Sequence, residues 1–232
     1  MKLIRGCANF GNLYGLKKKR LGQKKINEIV NQAKKIGVNH FDTAYDYDKS
    51  EHFLGKSIKK IYLNKKVFID TKLPKKINLK DKNKNLEKII KSSIKRLNIN
   101  SINTLYIHDP NQLLQKDGKL LYNELLKVKK LKLIKKIGVS VYTITEVKKV
   151  LKKFNIDVIQ VPYNILDTRF TDFKLINFLK KKKCILIARS IFLKGLLLKK
   201  NPEMIKYFEK WQITFKKLKF FFKKNNLSLK EW

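Results

Sequence analysis

Between residues 40 and 51 the chain reads HFDTAYDYDKSE, so Asp42 is followed at short range by Tyr45, Asp46 and Tyr47. The preceding run 37–41, GVNHF, reads as a short buried strand leaving a helix, and it delivers Asp42 to the strand's carboxyl end. Tyr47 folds back over that end from the loop. A tyrosine beside acidic or basic groups can exchange a proton with a substrate oxygen near neutral pH. The competing reading is structural: Asp42 caps a turn, while Tyr45 and Tyr47 pack on the outside of a helix. Two further segments favour chemistry. Residues 67–72, VFIDTK, form a strand pattern ending in Lys72, and residues 104–110, TLYIHDP, form one that delivers His108. Consecutive strands thus finish in Asp, Lys and His.

Such residues meet only if their strands run side by side in one direction. The hydrophobic periodicity predicts strands over 3–8, 39–43, 67–72, 104–108, 134–140, 157–161 and 184–188. Helices are predicted over 22–36, 51–61, 86–97, 120–131, 145–153 and 172–181, with Ile26, Ile29, Val30 and Ala33 giving the first its apolar face. Glycines Gly6, Gly11 and Gly15 mark a turn-rich exit from the first strand, and Gly37 stops the first helix. Strands alternating with helices argue parallel pairing with right-handed crossovers. The apolar runs VIQV and CILIA suit strands buried on both faces. A (β/α)8 barrel is preferred to a doubly wound sheet, because a barrel gathers the ends of strands two, three and four at one mouth. No Gly-x-Gly-x-x-Gly follows a strand.

At 232 residues the chain suits a single barrel domain, and 43% hydrophobic content suits a globular one. The formal charge of +38 raises nucleic acid as a partner. Against that, only five of the 56 basic residues are arginine, the residue favoured for bidentate base recognition. The lysines are spread over every predicted helix, as a composition bias towards Lys, Asn and Ile would spread them. Specific nucleic-acid binding is therefore not expected, although the field will attract anions. Cys7 and Cys184 are far apart and match no metal-ligand spacing, which points to no metal and to a reduced, cytoplasmic compartment. The amino terminus lacks the apolar length of a signal peptide. The most hydrophobic tract, 185–198, is interrupted by Arg189, Lys194 and Gly195, so no membrane span is expected.

Seven motifs, in order from Gly6 to about Leu198, resemble those of the aldo-keto reductases: GCANFG, FDTAxxYxxSE, the strand-end Lys72, LYIHDP, IGVSVY, VIQVPYNILDTRF and ARSIFLKGLLL. The resemblance implies a catalytic tetrad of Asp42, Tyr47, Lys72 and His108 in an NADPH-dependent reductase of aldehydes or ketones. In that scheme Tyr47 donates the proton, and an unperturbed phenol, with a pKa of about 10, needs help to do so. Lys72 supplies it, Asp42 keeps the lysine charged, and His108 directs the substrate oxygen. Each residue also has a structural reading: Lys72 snorkelling at a strand end, His108 as a satisfied core histidine, and Tyr45 as a rival to Tyr47. Glu51 is expected to cap a helix or make a structural hydrogen bond.

The resemblance further implies an extended cofactor across the mouth, held by Gly6, Cys7, Ser140, Gln160, Asn164, Arg189, Ser190, Phe192, Lys194 and Gly195. Backbone amides of 190–197 and Lys194 are the expected pyrophosphate contacts. Ser140 also reads as a strand-end turn, and Gln160 as a buried polar residue bonded to backbone. Arg189 stands where many members carry a tyrosine that stacks on the nicotinamide, and Asp48 replaces a glycine that often follows the reacting tyrosine. NADP over NAD is a family expectation, because the main determinants of the adenosine 2′-phosphate lie in the region after residue 232. The ANFG and RSIFLKGLLL motifs resemble members associated with sugar and surface-polysaccharide metabolism, implying a sugar-derived carbonyl.

After the seventh strand come a loop over 189–198, a helix over 203–224, and Ser228 with Glu231 in a capping-box spacing. The expectation is a truncated or split (β/α)8 barrel with seven strands present and the eighth βα unit missing, completed by a separate fragment. The alternative function is a degenerate barrel without cofactor turnover, serving as an interaction module or a non-functional fragment.

Overall fold

A computed structural model describes residues 2–13, 20–63, 65–77, 86–198 and 206–227. The readings at Gly15, Glu203, Ser228 and Glu231 lie outside the described residues. Seven strands form one sheet in sequential order: β1 (Arg5–Gly6), β2 (His40–Asp42), β3 (Phe68–Lys72), β4 (Ile102–Ile107), β5 (Ile134–Ser140), β6 (Val158–Pro162) and β7 (Ile185–Arg189). Every neighbouring pair is parallel. Helices occupy the crossovers: α2 (Gln23–Lys35), α3 (Ser50–Ile61), α4 (Leu86–Leu97), α6 (Gly118–Lys130), α7 (Ile144–Lys153) and α8 (Phe173–Lys181).

The sheet curls. Gln160 on β6 reaches Asp42 on β2 through the interior, Nε2 to Oδ1 at 3.4 Å, although three strands separate them. The architecture is that of an incomplete (β/α)8 barrel: among the described residues no strand joins β7 to β1. Two hydrophobic clusters lie between sheet and helices, one around Ile107, Val139, Ile159 and Leu125, the other around Phe41, Ile69, Leu54 and Val30.

Several element boundaries differ from expectation for identifiable reasons. The first strand shortens to two residues because Phe10 N–H bonds the Cys7 carbonyl, winding a single helical turn, α1 (Ala8–Gly11). A further turn, α5 (Asn111–Leu114), follows β4. The loop after β7 contains a 3-10 segment, Leu193–Leu198, and the last predicted helix is a 3-10 segment, Lys206–Trp211, running into α9 (Gln212–Lys224). β6 is buried throughout, as its apolar run predicts. β7 is not: Ile185 and Ala188 are exposed, because no described strand pairs with its outer edge.

Candidate active site

The parallel sheet places the carboxyl ends of its strands on one rim, and the reactive side chains collect there. Asp42 closes β2, Lys72 closes β3 and His108 directly follows β4. Lys72 is 2% exposed, so its charge requires compensation. Compensation is complete by count: the ammonium donates to Asp42 Oδ1 at 2.6 Å, to Asp42 Oδ2 at 2.7 Å and to the Thr43 carbonyl at 2.8 Å, matching its three N–H groups. Loss of the Asp42 carboxylate would leave that charge buried and uncompensated, at a cost of about 3–5 kcal/mol. Burial pushes the Asp42 carboxyl above its usual range, against the pull of the adjacent Lys72.

Tyr47 is held by a compact loop. Tyr45 N–H extends the β2–β3 ladder to the Lys72 carbonyl, and Tyr47 N–H then turns back to the Ala44 carbonyl. The next residue, Asp48, has φ of +44°, the left-handed conformation that glycine adopts most cheaply. Ser50 ties the loop down, its hydroxyl donating to the Cys7 carbonyl at 2.9 Å. Gly11 admits the loop: a Cβ there would lie 1.9 Å from the Tyr47 carbonyl oxygen.

So held, the Tyr47 ring centroid lies 5.5 Å from Lys72 Nζ and 6.1 Å from the His108 ring, edge to face. Lys72 is also 5.5 Å from the ring of Tyr106, a residue that sequence reasoning gave no role. The signal was available, since Tyr106 and His108 lie two residues apart on a strand and share a face. Gly138, the register partner of Tyr106 on β5, leaves room for its ring; a Cβ there would stand 2.4 Å from it.

His108 is in a poor place for a cation. Burial, reinforced by the charges of Lys72, Lys75 and Arg189 and opposed by Asp46, pushes its pKa down to about 4. The imidazole is neutral at pH 7, with one donor and one acceptor nitrogen. Its Nδ1 is buried without a hydrogen-bond partner, the Asp46 carboxylate standing at 3.7 Å. Asp46 and Lys75 were also missed as neighbours, because the loops contributing them, after β2 and after β3, are remote in sequence from His108.

Tyr45 goes elsewhere. Its ring lies 4.6 Å from the guanidinium carbon of Arg96 on α4, and Arg96 in turn holds Glu51 at 2.6 Å. Glu51 Oε1 accepts from Thr71 at 2.7 Å, so this carboxylate joins α3, α4 and β3 and lies outside the tetrad.

Around the tetrad, Ser140 and Gln160 are register partners on β5 and β6, 3% and 2% exposed. Among the described residues Gln160 Oε1 and Arg189 Nη2 are buried without hydrogen-bond partners. The Arg189 guanidinium carbon lies 4.4 Å from the Tyr142 ring centroid. Asn164 is buried, with Oδ1 committed to Leu166 N–H in its own turn. Cys7 is fully buried, and desolvation pushes its thiol to about 12; its N–H donates to the Asp42 carbonyl. Gly6 ends β1 beside Asp42. In the loop after β7, Ser190, Lys194 and Gly195 have positive φ and Phe192 is exposed. The amides of Leu193, Gly195 and Leu197 bond carbonyls within that loop, which narrows the set left for a phosphate. Among the described residues no cluster of three or more His, Cys, Asp or Glu is arranged to hold a metal, and no helix is long and apolar enough to cross a membrane.

Comparison with solved structures finds the same architecture. The chain superimposes on the thermostable aldo-keto reductase Tm1743, solved with the inhibitor epalrestat, with a TM-score of 0.71 and 24% identity over 97% of this chain and 77% of that one. On aldo-keto reductase AKR11C1 from Bacillus halodurans, in its holo form, the TM-score is 0.67 with 21% identity over 84% and 64% of the two chains. For the Bombyx mori aldo-keto reductase AKR2E4 in complex with NADP, the values are 0.64 and 20% over 81% and 62%. The chain thus spans less than two thirds of the latter two relatives. A search of curated proteins finds no match. The sequence model of the Aldo/keto reductase family matches residues 2–232, and the chain belongs to that family.

Proposed function

We propose that this chain is an NADPH-dependent carbonyl reductase, converting a small aldehyde or ketone to the alcohol with Tyr47 as the proton donor. One observation carries the reading: a buried ammonium, fixed by Asp42 and Thr43, stands against the rings of Tyr47 and Tyr106, with His108 beside them. Asp42 keeps Lys72 charged, and that charge favours the phenolate left when Tyr47 gives up its proton. His108, neutral at pH 7, offers a hydrogen bond that aims the substrate oxygen at Tyr47 without competing as the acid.

The partnerless Gln160 Oε1, with Ser140 at its side, suits the carboxamide of a nicotinamide. Asn164, Gly6, Cys7, Arg189, Ser190, Phe192, Lys194 and Gly195 line the remaining path we assign to the dinucleotide. The NADP complex of the silkworm relative supports the choice of cofactor. When bound, reduced nicotinamide supplies the hydride that adds to the carbonyl carbon. Tyr47 supplies the proton to the oxygen and is reprotonated from water, which balances the reduction. The sugar-derived carbonyls implied by the motif resemblance fall within this substrate class.

The test is oxidation of NADPH by small aldehydes, followed by loss of nicotinamide absorbance. Tyr47→Phe is expected to lose about 10²–10⁴-fold in kcat while its NADPH dissociation constant stays close to that of the wild type. Normal turnover by that variant would remove Tyr47 as the donor.

A further inference from the structure

Deeper in the barrel than the tetrad lies a second buried carboxylate with no place in the reaction just described. Asp70 precedes Lys72 by two residues on β3, so the two side chains share a face. It is the register partner of Asp42 on β2 and of Thr104 on β4, and it is buried. Both of its oxygens are engaged. Asn103 Nδ2 donates to Oδ1 at 2.8 Å, and His40 Nε2 lies 2.8 Å from Oδ2. A carboxylate can only accept, so the hydrogen of the second contact belongs to His40, and two donors favour the ionised acid. The cluster ties β2, β3 and β4, which backbone pairing already joins, and a buried charge is a costly tie.

The charge has a target. The interior carries one ammonium, Lys72, and two phenol rings, Tyr47 and Tyr106, each 5.5 Å from it. An ammonium between two phenols draws both towards phenolate, and a phenolate cannot donate the proton that reduction requires. Tyr106 shows the opposing influence: burial first, then Asp70 and Asp42, with a further contribution from Cys184, hold its phenol far above the ordinary range. Burial also raises the Asp42 carboxyl, against Lys72, and Asp70 adds to the rise. The other charges felt at the tetrad, Lys75, Asp46 and Arg189, act at His108.

We infer that Asp70 is a positioning residue for the reduction: clamped by His40 and Asn103 two residues below Lys72, its charge offsets the ammonium and keeps Tyr47 a loaded acid at alkaline pH. The inference rests on the reductase reading. Asp70 touches neither substrate nor cofactor in this scheme and acts through the balance of charge on the phenol.

The test follows single-turnover oxidation of NADPH by a small aldehyde and locates the alkaline pH at which the rate falls away. A unit charge about 10 Å from a phenol in a partly buried site is worth about one pH unit. Asp70→Asn should therefore move that limb down by about 0.5–1 pH unit, and Asp70→Glu should return it most of the way. A carboxylate with a structural role alone predicts otherwise: the variants lose rate or melting temperature while the limb stays in place, and that result overturns the proposal. An upward shift overturns it too. Should the amide variant not fold, Asp70→Ala removes the same charge and is read the same way. Should no carbonyl be reduced, the ultraviolet difference between each protein and its Tyr47→Phe counterpart titrates the Tyr47 phenolate directly. A lower midpoint in Asp70→Asn then upholds the role of Asp70 while the reductase reading falls, and equal midpoints overturn this proposal as well.

Discussion

His108 carries a stability signature as well as the chemical role proposed for it. Its pKa lies at about 4 in the folded chain against 6.5 for an unperturbed histidine, so between these values the unfolded chain binds more protons. Stability therefore falls as pH drops from 6.5 through about 4, and the imidazole's contribution is fully present only above 6.5. The melting temperature of His108→Gln should decline less steeply over that interval than that of the wild type. Parallel curves for the two proteins would show that the imidazole is not held neutral by its surroundings.

At the scale of elements, glycines decide how closely the pieces of the site approach. Gly11 ends α1, and its missing side chain lets the 44–50 loop press against that turn. Gly11→Ala would push the Tyr47 carbonyl outward, and a shift of about 1 Å in a reacting group costs about 10²-fold in rate. The variant is expected to bind NADPH with near wild-type affinity while kcat falls at least about tenfold, with a lowered melting temperature reporting the backbone strain. Unchanged kcat would mean that the loop sets the position of Tyr47 without help from α1. Glu51 plays the complementary part on the helix side, where one buried carboxylate joins three elements through Arg96 and Thr71.

Across the whole molecule, the net charge bears on stability. A net +38 spread over the helices repels itself in the compact state and is diluted on unfolding. The melting temperature should therefore rise by several degrees as salt goes from about 20 mM to about 300 mM, because screening relieves repulsion between distant surface charges. A melting temperature that is flat or falls with salt would mean that local ion pairs such as Lys25–Glu28 and Lys127–Glu124 outweigh the overall field. The open edges of β1 and β7 matter at this scale too. Ile185, Phe173, Ile213 and Phe220 are large apolar side chains left exposed.

The order of strands and helices and the family were legible in the chain, because period and motif are local properties that survive without neighbours. Asp42, Lys72 and His108 were legible for the same reason: each ends a strand, and parallel strands must finish on one rim. What folding alone decided was where each tyrosine goes. Tyr45 and Tyr47 differ by two residues in sequence, yet one lies against Arg96 on the helix side and the other against Lys72 and His108. The neutral state of His108 and the place of Tyr106 beside Lys72 were likewise hidden. Each depends on desolvation and on charges brought from distant strands, and those quantities exist only once the sheet has curled.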